Sequence, residues 1–478
     1  MASRPSSGSP GGPVALRLDR ARTDLALRAC SLAGALSRRL GRGGGAVIGG
    51  RLALRVQPTV LGHLAAGRRT VLVTGTNGKT TTSHLIAAAL GTLGQVAHND
   101  SGANMPDGLV AALARRRSAV LAVLEVDELH LGVVSAAVSP AVLVLLNLSR
   151  DQLDRSSEVA TVAANIRASL EGRPDTLLVA NCDDPLVTAA VDGHPRVCWF
   201  AGGSSWSADS RLCPRCGAAI SRDGETWCCR SCGLARPDPD WTVAGGTVTG
   251  PGVRVALALR LPGSHNTRNA VAALAAAAAL GVHPVAAAAA MGAIRSVAHR
   301  YATVQVGHHR LTLLLAKNPA GWLETFPLVR DAPGLVVAIN AQEADGRDTS
   351  WLWDVPFEQL GRGLTVASGD AAADVGLRLG YAAVRHTTIT DPFAAVASLP
   401  PGDVTVVANY TAFRQMLAGL ERARVRLRDR PDRPREGSLR GRRGAAPATW
   451  GAGPARGPEP AAAATAPPGL RHQRPAPR

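Results

Sequence analysis

The sequence is poor in aromatic residues and contains no long apolar segment. Phe, Trp and Tyr make up 3% of the 478 residues, and no uninterrupted apolar run approaches the roughly 20 residues needed to cross a bilayer. The N-terminal stretch up to Pro13 is rich in Ser, Gly and Pro and lacks the apolar core of a signal peptide. These absences argue against a membrane-spanning or exported chain. We therefore expect a cytoplasmic protein, long enough for two or three domains.

The formal net charge of +17 is unevenly distributed. Residues 422–478 contain 14 arginines and four acidic residues, so this tail carries +10 and the remainder carries +7. The segment 421–478 offers little apolar surface to bury and is predicted to be disordered. It could contact anionic lipid headgroups or RNA through its arginines, or it could be a neutral extension. With so much charge concentrated there, nucleic acid is not the expected partner of the folded domains.

A glycine-rich loop, Gly75–Thr80, is the most informative motif, because it follows a predicted buried strand and precedes a predicted helix. Backbone N–H groups at a helix start, together with the helix dipole, attract phosphate. Gly78 allows close approach of the backbone, Lys79 can reach the β- and γ-phosphates, and the Thr80 hydroxyl can hold Mg²⁺. The alternative is an ordinary strand-to-helix turn. The predicted nucleotide-binding residues of this segment are Gly75, Thr76, Asn77, Gly78, Lys79, Thr80 and Thr81.

Apolar runs alternate with helical patterns in both halves of the chain. This alternation predicts parallel sheets covered by helices, with ligands at the carboxyl ends of the strands. Glu125 ends one such run and is the predicted Mg²⁺ ligand, although a strand-end acid can simply face solvent. Asp151 and Asp154 follow the next strand and are further candidate site residues. Strands are predicted at 70–73, 120–126, 138–146, 176–180, 311–315, 334–339 and 403–407, and helices at 16–40 and 81–90.

The phosphate loop has only two residues between Gly75 and the Gly78-Lys79 pair, where the common loop has four. This spacing resembles the ATP loop of Mur ligases and folylpolyglutamate synthases. Two further segments are similar to Mur ligases: 147–155, which follows a strand, and 263–273, which contains a Gly-Ser-His-Asn sequence. The resemblance implies that Asn266 contacts the adenine and the phosphates, while Asn269 caps or braces the turn. It also places Arg300 near the nucleotide, although the local sequence departs from the family's Gly-Arg-Gly-Glu.

Five of the eight cysteines lie within twenty residues. Cys213 and Cys216 form one Cys-x-x-Cys pair and Cys229 and Cys232 another, each followed by glycine. In a cytoplasmic chain this spacing predicts a closed, structural four-thiolate Zn²⁺ site. Cys228 could replace Cys229, but the spacing favours Cys229. A redox pair is the alternative, although a redox site rarely needs two matching pairs.

The C-terminal part resembles the C-terminal domain of the MurT family, the synthetase subunits of lipid II isoglutaminyl synthases. The similar segments are 313–322, 344–358 and 409–412. The resemblance implies that the chain uses ATP to activate the α-carboxylate of D-glutamate in the lipid II stem peptide. Ammonia from a GatD-type glutaminase subunit then attacks the acyl phosphate to give D-isoglutamine. The substrate implies action at the inner face of the cell membrane.

In that family an Asp of the Asp-Gly-x-Asp-x-Ser-Trp motif completes the Cys-His pair of the glutaminase. Asp348 is the expected residue here, with Asp345 and Asp354 as alternatives, although Asp348 could instead cap the following helix. The predicted catalytic residues are therefore Lys79, Glu125 and Asp348. The chain offers no glutaminase-like Cys-His pair of its own, because its clustered cysteines are assigned to metal.

The predicted architecture is α/β, with a Mur ligase-type ATPase domain and a smaller, Rossmann-like C-terminal domain. The predicted segments are an N-terminal segment with a helix (1–50, its end a flexible glycine-rich connection from 41), the ATP-binding domain (51–300, with a zinc ribbon inserted at about 205–240), the C-terminal α/β domain (301–420) and the tail (421–478). Two other functions remain open. One is a stand-alone ligase of the Mur or folylpolyglutamate type that uses an amino acid; the other is a nucleotide-dependent, zinc-ribbon nucleic-acid-binding protein.

Overall fold

A computed structural model describes residues 13–39, 45–151, 159–203, 207–295, 297 and 300–428. The chain forms 14 α-helices and 17 strands within these residues. The last helix continues to Arg428, and the rest of the basic tail, predicted to be disordered, lies outside the described residues.

The helices lie in both halves of the chain and between most consecutive strands. They are α1 (Pro13–Arg39), α2 (Ala46–Val56), α3 (Val60–Ala65), α4 (Lys79–Leu90), α5 (Pro106–Arg115), α6 (Leu131–Val138), α7 (Val159–Leu170), α8 (Pro185–Val191), α9 (Ser264–Ala279), α10 (Pro284–Gly292), α11 (Pro319–Val329), α12 (Ala372–Tyr381), α13 (Pro392–Ala397) and α14 (Tyr410–Arg428).

The strands fall into two large sheets and two small ones. They are β1 (Arg69–Thr74), β2 (Val96–His98), β3 (Leu121–Glu125), β4 (Val142–Leu145), β5 (Leu177–Asn181), β6 (Val197–Phe200), β7 (Ser221–Asp223), β8 (Thr226–Cys228), β9 (Thr242–Ala244), β10 (Thr247–Gly250), β11 (Val253–Ala256), β12 (Tyr301–Val306), β13 (His309–Leu315), β14 (Gly334–Ala338), β15 (Leu364–Ser368), β16 (His386–Thr388) and β17 (Gly402–Ala408).

The first large sheet has six parallel strands in the order β2-β3-β1-β4-β5-β6. Its central strand β1 is buried on both faces: Val71 and Val73 pack towards α4 and α9, and Leu72 packs towards the helices of the opposite layer. A strand covered on both faces requires the near-continuous apolar run that the sequence shows. Since β1, β3, β4 and β5 are parallel, the loops that follow them meet at one edge.

The second large sheet has the order β12-β13-β17-β14-β15-β16 and is parallel except for the antiparallel edge strand β12. Apolar clusters lie on both of its faces. The inserted segment contains the hairpin β7-β8, and the antiparallel sheet β11-β10-β9 follows it. The α/β architecture predicted from the sequence is thus confirmed.

The predicted strands are confirmed, with small differences at their ends. The largest difference is at β4, which was predicted to begin at Val138 and begins at Val142 instead. Val138 ends α6, because Ser139 takes a left-handed conformation (φ 49°) and is followed by proline. Apolar content alone did not separate the end of the helix from the start of the strand.

The prediction of a flexible connection at 41–50 is wrong for its second half. Helix α2 begins at Ala46, whereas residues 40–44 lie outside the described residues. Gly50 lies so close to α5 that a Cβ atom there would fall 1.8 Å from the carbonyl oxygen of Asp107. Glycine here allows two helices to approach closely. Within the described ranges, no helix combines the length and apolar character that crossing a bilayer requires.

Candidate functional site

The phosphate loop connects β1 to α4 at the carboxyl edge of the first sheet. Gly75 and Gly78 both have positive φ, at 131° and 88°. A Cβ on Gly78 would fall 2.4 Å from the Oδ1 atom of Asn269 on α9. The loop therefore lies against the start of α9, and this position accepts only glycine.

The segment that follows β4 holds the loop in place. The backbone N–H groups of Thr76 and Asn77 donate to the carbonyl oxygen (2.8 Å) and to Oδ1 (2.9 Å) of Asn147, and the Thr76 hydroxyl donates to the Ser149 carbonyl oxygen (3.1 Å). The sequence predicted that this segment lies at the carboxyl ends of the strands, as the loop does, but assigned no role to Asn147 or Ser149. Both contact the loop directly.

Lys79 is buried, and its ammonium group is already held in the loop. Nζ donates to the Gly75 carbonyl oxygen (2.6 Å) and to Oε1 of Glu128 (2.9 Å). Burial alone would lower the pKa of Lys79, but the charges of Glu128 and Glu125 outweigh this and raise the pKa above its usual value. For the acid Glu128 the directions are reversed. Burial alone would raise the pKa of Glu128, but the charge of Lys79 holds this pKa below its usual range. Both groups are therefore charged at neutral pH.

Glu125 has an atom suited to a cation. It ends β3, its side chain is buried, and its Oε2 atom has no hydrogen-bond partner among the described residues. A lone buried carboxylate oxygen beside a phosphate loop fits Mg²⁺, which prefers oxygen ligands. The other predicted ligand, the Thr80 hydroxyl, accepts a hydrogen bond from Arg300 (2.8 Å). The structure thus brings Arg300 to the loop despite the local departure from the family sequence.

A cavity extends from the loop towards the C-terminal domain. Asn266 lies on its wall, where its Nδ2 atom donates to the Pro262 carbonyl oxygen (2.6 Å), and Asn269 braces Gly78. The walls come from the first sheet, from α9 and from α11. They include Asn77, Gly78, Thr81, Phe200, Leu261, Asn266, Asn269, Arg300, Tyr301, Ala320, Gly321 and Thr325.

Two residues of the C-terminal domain contact this site, one at the phosphate loop and one at the segment after β4, and the sequence assigned them no role. Asn318 exchanges side-chain hydrogen bonds with Asn77 (3.3 Å each way), and Lys317 forms an ion pair with Asp151. The chain contains two lysines against 51 arginines. Both lysines lie at this site. The rarity of lysine is a signal in the sequence that could have drawn attention to Lys317. Asp154, the other candidate of that segment, lies outside the described residues.

The three candidate aspartates of the C-terminal motif differ in their environment. Asp345 accepts hydrogen bonds from the backbone N–H and the hydroxyl of Thr411, and Asp354 pairs with Arg150 (3.1 Å). Asp348 is exposed, and its carboxylate accepts bonds from the N–H and the hydroxyl of Ser350 (both 2.8 Å). Asp348 was considered as the cap of the following helix, but Thr349 is the N-cap of the short 3-10 helix Ser350–Asp354, and Asp348 precedes it. Its carboxylate closes a local turn onto Ser350 and remains exposed.

The cysteine segment forms a compact four-thiol cluster. The Sγ atoms of Cys213, Cys216, Cys229 and Cys232 all lie within 4.8 Å of one another, and Cys228 is not part of this group. Four thiols at this spacing fit tetrahedral Zn²⁺. The ribbon is fixed to the first sheet by Trp227, whose indole N–H donates to the Cys182 carbonyl oxygen (3.0 Å).

Comparison with known proteins identifies the family. Residues 73–209 match the Mur ligase middle domain, and residues 315–413 match the MurT ligase C-terminal domain. The chain is 31% identical over 430 residues to the MurT subunit of lipid II isoglutaminyl synthase (glutamine-hydrolyzing) from Streptococcus pneumoniae, covering 81% of this chain and 95% of that protein. The chain belongs to the MurT family.

Other relatives agree with this assignment. The MurT subunit of Staphylococcus aureus strain N315 is 30% identical over 83% of this chain and 98% of its own length. Among solved structures, a pseudomurein peptide ligase type C from Methanothermus fervidus has a TM-score of 0.60 at 18% identity, over 77% of this chain and 81% of that one. That similarity shows the fold. As a MurT-family protein, the chain is a ligase that forms C–N bonds.

Proposed function

We propose that the chain is the synthetase subunit of a two-subunit amidating ligase. It uses ATP and Mg²⁺ to activate the α-carboxylate of D-glutamate in the stem peptide of lipid II, and the product is D-isoglutamine. The names of the S. pneumoniae and S. aureus relatives support this substrate. The observation that carries the proposal is the buried ammonium of Lys79, held in a phosphate loop that Asn318 of a MurT-type C-terminal domain contacts directly.

The chemistry requires activation because a carboxylate is a poor electrophile. A carboxylate oxygen attacks the γ-phosphorus of ATP, ADP leaves, and an acyl phosphate forms. The nitrogen lone pair of ammonia then attacks the acyl carbon, phosphate leaves with the C–O electron pair, and the nitrogen loses a proton. Lys79 lies where it can stabilise the charge that develops on the transferred phosphoryl group. Glu125 and Thr80 would hold Mg²⁺, which supplies further charge neutralisation when bound.

A separate subunit supplies the ammonia. Free ammonia in neutral water is mostly protonated and cannot attack, so a GatD-type glutaminase that releases it beside the acyl phosphate avoids that loss. The word "subunit" in the relatives' names supports a partner. Asp348 is the residue proposed to orient the partner's histidine, because Asp345 and Asp354 are committed to Thr411 and Arg150. We place the reaction at the inner face of the cell membrane, where such an acceptor is anchored.

The first test is Lys79→Ala in the complex reconstituted with a GatD-type glutaminase, ATP, lipid II and glutamine. Amidated lipid II, measured by mass spectrometry, should fall by roughly 100-fold or more, as for loss of other preorganised charge contacts. Lys79→Arg is the matched variant, since it keeps the charge but not the compact ammonium geometry, and it should recover little. Undiminished amidation by Lys79→Ala would refute the proposal, and so would transfer of an added amino acid in place of ammonia.

The second test separates the two half-reactions. Asp348→Asn should abolish amidation driven by glutamine but preserve amidation driven by ammonium chloride at alkaline pH, because only the glutaminase step needs this carboxylate. Asp403→Asn is the matched control, because this aspartate is exposed near the start of β17, and it should keep glutamine-driven amidation. Equal loss with both nitrogen sources would show that Asp348 acts in the synthetase itself.

A further inference from the structure

The outer face of α1 carries a line of exposed leucines. Leu18, Leu25, Leu32 and Leu36 are 58–72% exposed. At 100° per residue their spacing keeps all four within about 40° of one another around the helix axis. A soluble helix normally places such residues against a core. Here they form one apolar stripe on the surface, which we call the leucine stripe.

The leucine stripe is not the face that holds α1 on the protein. Ala26, Cys30 and Ser37 are buried and lie roughly 120° around the helix axis from the stripe, where α1 packs against α2 and α3. Asp19 points to that same side, where it pairs with His63 (2.8 Å) and accepts a hydrogen bond from Gln57 (2.6 Å). The helix is therefore anchored by one face while the stripe faces outwards.

The charges beside the leucine stripe are positive. Arg22, Arg28 and Arg39 are exposed and flank the stripe on both sides. Asp24 is the acidic residue nearest to the edge of the leucine stripe, and it is paired with the exposed Arg117, which follows α5 (3.5 Å). A second copy of the chain on this face would set arginines against arginines. The surface instead matches a partner that is apolar inside and anionic at its boundary.

We propose that α1 is an interfacial helix that docks the protein on an anionic phospholipid bilayer. The leucines enter the boundary between headgroups and acyl chains, and the flanking arginines contact anionic headgroups, as in other amphipathic helices that lie on membranes. This inference goes beyond the proposed reaction, although it would bring the nucleotide site to a membrane-anchored acceptor. Vesicle binding needs neither ATP nor acceptor, so either proposal can fail while the other stands.

The test compares full-length variants in co-sedimentation with vesicles rich in phosphatidylglycerol and with pure phosphatidylcholine vesicles. The double variant Leu25→Ser/Leu32→Ser should bind the anionic vesicles at least roughly ten-fold more weakly than the unmodified chain. Leu364→Ser/Leu377→Ser is the matched control, because these leucines of the second sheet domain are similarly exposed (54% and 58%). It should bind like the unmodified chain.

The basic tail is common to all variants, so raised salt separates its contribution from that of the stripe. Salt screens exposed arginines but leaves burial of leucine intact, and the difference between the two double variants should therefore persist. Equal vesicle binding by both would overturn the proposal. A second outcome would also overturn it: Leu25→Ser/Leu32→Ser keeps its vesicle binding but loses self-association or binding to the glutaminase. A second copy or the partner subunit would then cover this face.

Discussion

The ammonium group of Lys79 is held in place by acceptors of the protein itself. It lies between the Gly75 carbonyl oxygen and the Glu128 carboxylate; Lys79 is buried, and the Glu128 side chain is 14% exposed. A phosphate group entering the loop must therefore compete with the Glu128 carboxylate for the same charge. Glu128 lies three residues beyond the strand-end acid that the sequence singled out, at the start of a short 3-10 helix, and it pairs with the lysine. Among the described residues, the Oε2 atom of Glu125 has no hydrogen-bond partner.

Replacing Glu128 with glutamine should tighten nucleotide binding and destabilise the nucleotide-free protein. The change removes the charge that competes with phosphate, and we expect the dissociation constant for a non-hydrolysable ATP analogue to fall by roughly ten-fold, or about 1.4 kcal/mol. Loss of the buried partner of Lys79 should cost about 3 kcal/mol of unfolding free energy without nucleotide. Calorimetric titration and thermal unfolding measure the two effects. Weaker binding would mean that Glu128 assists the nucleotide instead of competing with it.

His98, at the end of β2, should make the free energy of unfolding depend on pH. Burial, and after it the neighbouring His84, lower the pKa of His98 to about 3. The unfolded chain protonates this histidine near pH 6.5 whereas the folded chain does not, so stability should fall as pH drops below that value. The expected loss is about 1 kcal/mol between pH 7 and pH 5.5. His98→Gln, which can keep the hydrogen bond to Ser83, should remove this component of the pH dependence of thermal unfolding, and an unchanged profile would contradict the assignment.

The loops and the ribbon show what could be predicted from the sequence. The phosphate loop and the cysteine pairs were predictable because each is a local motif, with its chemistry fixed by spacing within a few residues. The contacts of Asn318 with the loop and of Lys317 with Asp151 were not, because they join residues that lie far apart in the sequence and in different domains. The helix through Gly49 and Gly50 was missed for the same reason: its glycines serve close packing against Cys30 and Asp107.

The ribbon should depend on four particular thiols. Cys229→Ser should lower bound zinc and unfold the ribbon, because a cluster with so small an apolar core has little else to hold it. Cys228→Ser is the matched control, since this adjacent cysteine lies outside the thiol group. Zinc content by mass spectrometry and the fluorescence of Trp227 report the two effects. Equal zinc loss in both variants would show that the ligand assignment is wrong.

The two α/β domains meet at the cavity beside the phosphate loop and are joined there by polar contacts. Asn318 pairs with Asn77, Glu324 pairs with Arg268, and Arg150 links the segment after β4 to Asp354 of the C-terminal motif. The first of these contacts connects the phosphate loop to the domain that carries Asp348, and the other two connect α9 and the segment after β4 to it. A nucleotide in the cavity would touch both domains, so its binding should stabilise them together.

Thermal unfolding with and without a non-hydrolysable ATP analogue and Mg²⁺ tests this coupling. At a ligand concentration 100-fold above its dissociation constant, the folded protein should gain about 2.7 kcal/mol, and both domains should unfold at a higher temperature. Gly78→Ala should lose this gain, because its Cβ would collide with Asn269. Gly67→Ala is the matched control: it has a similar positive φ of 73° but open space around it, so it pays the same backbone cost and keeps the full response to nucleotide. Stabilisation of only one domain by nucleotide would show that the other does not contribute to the site.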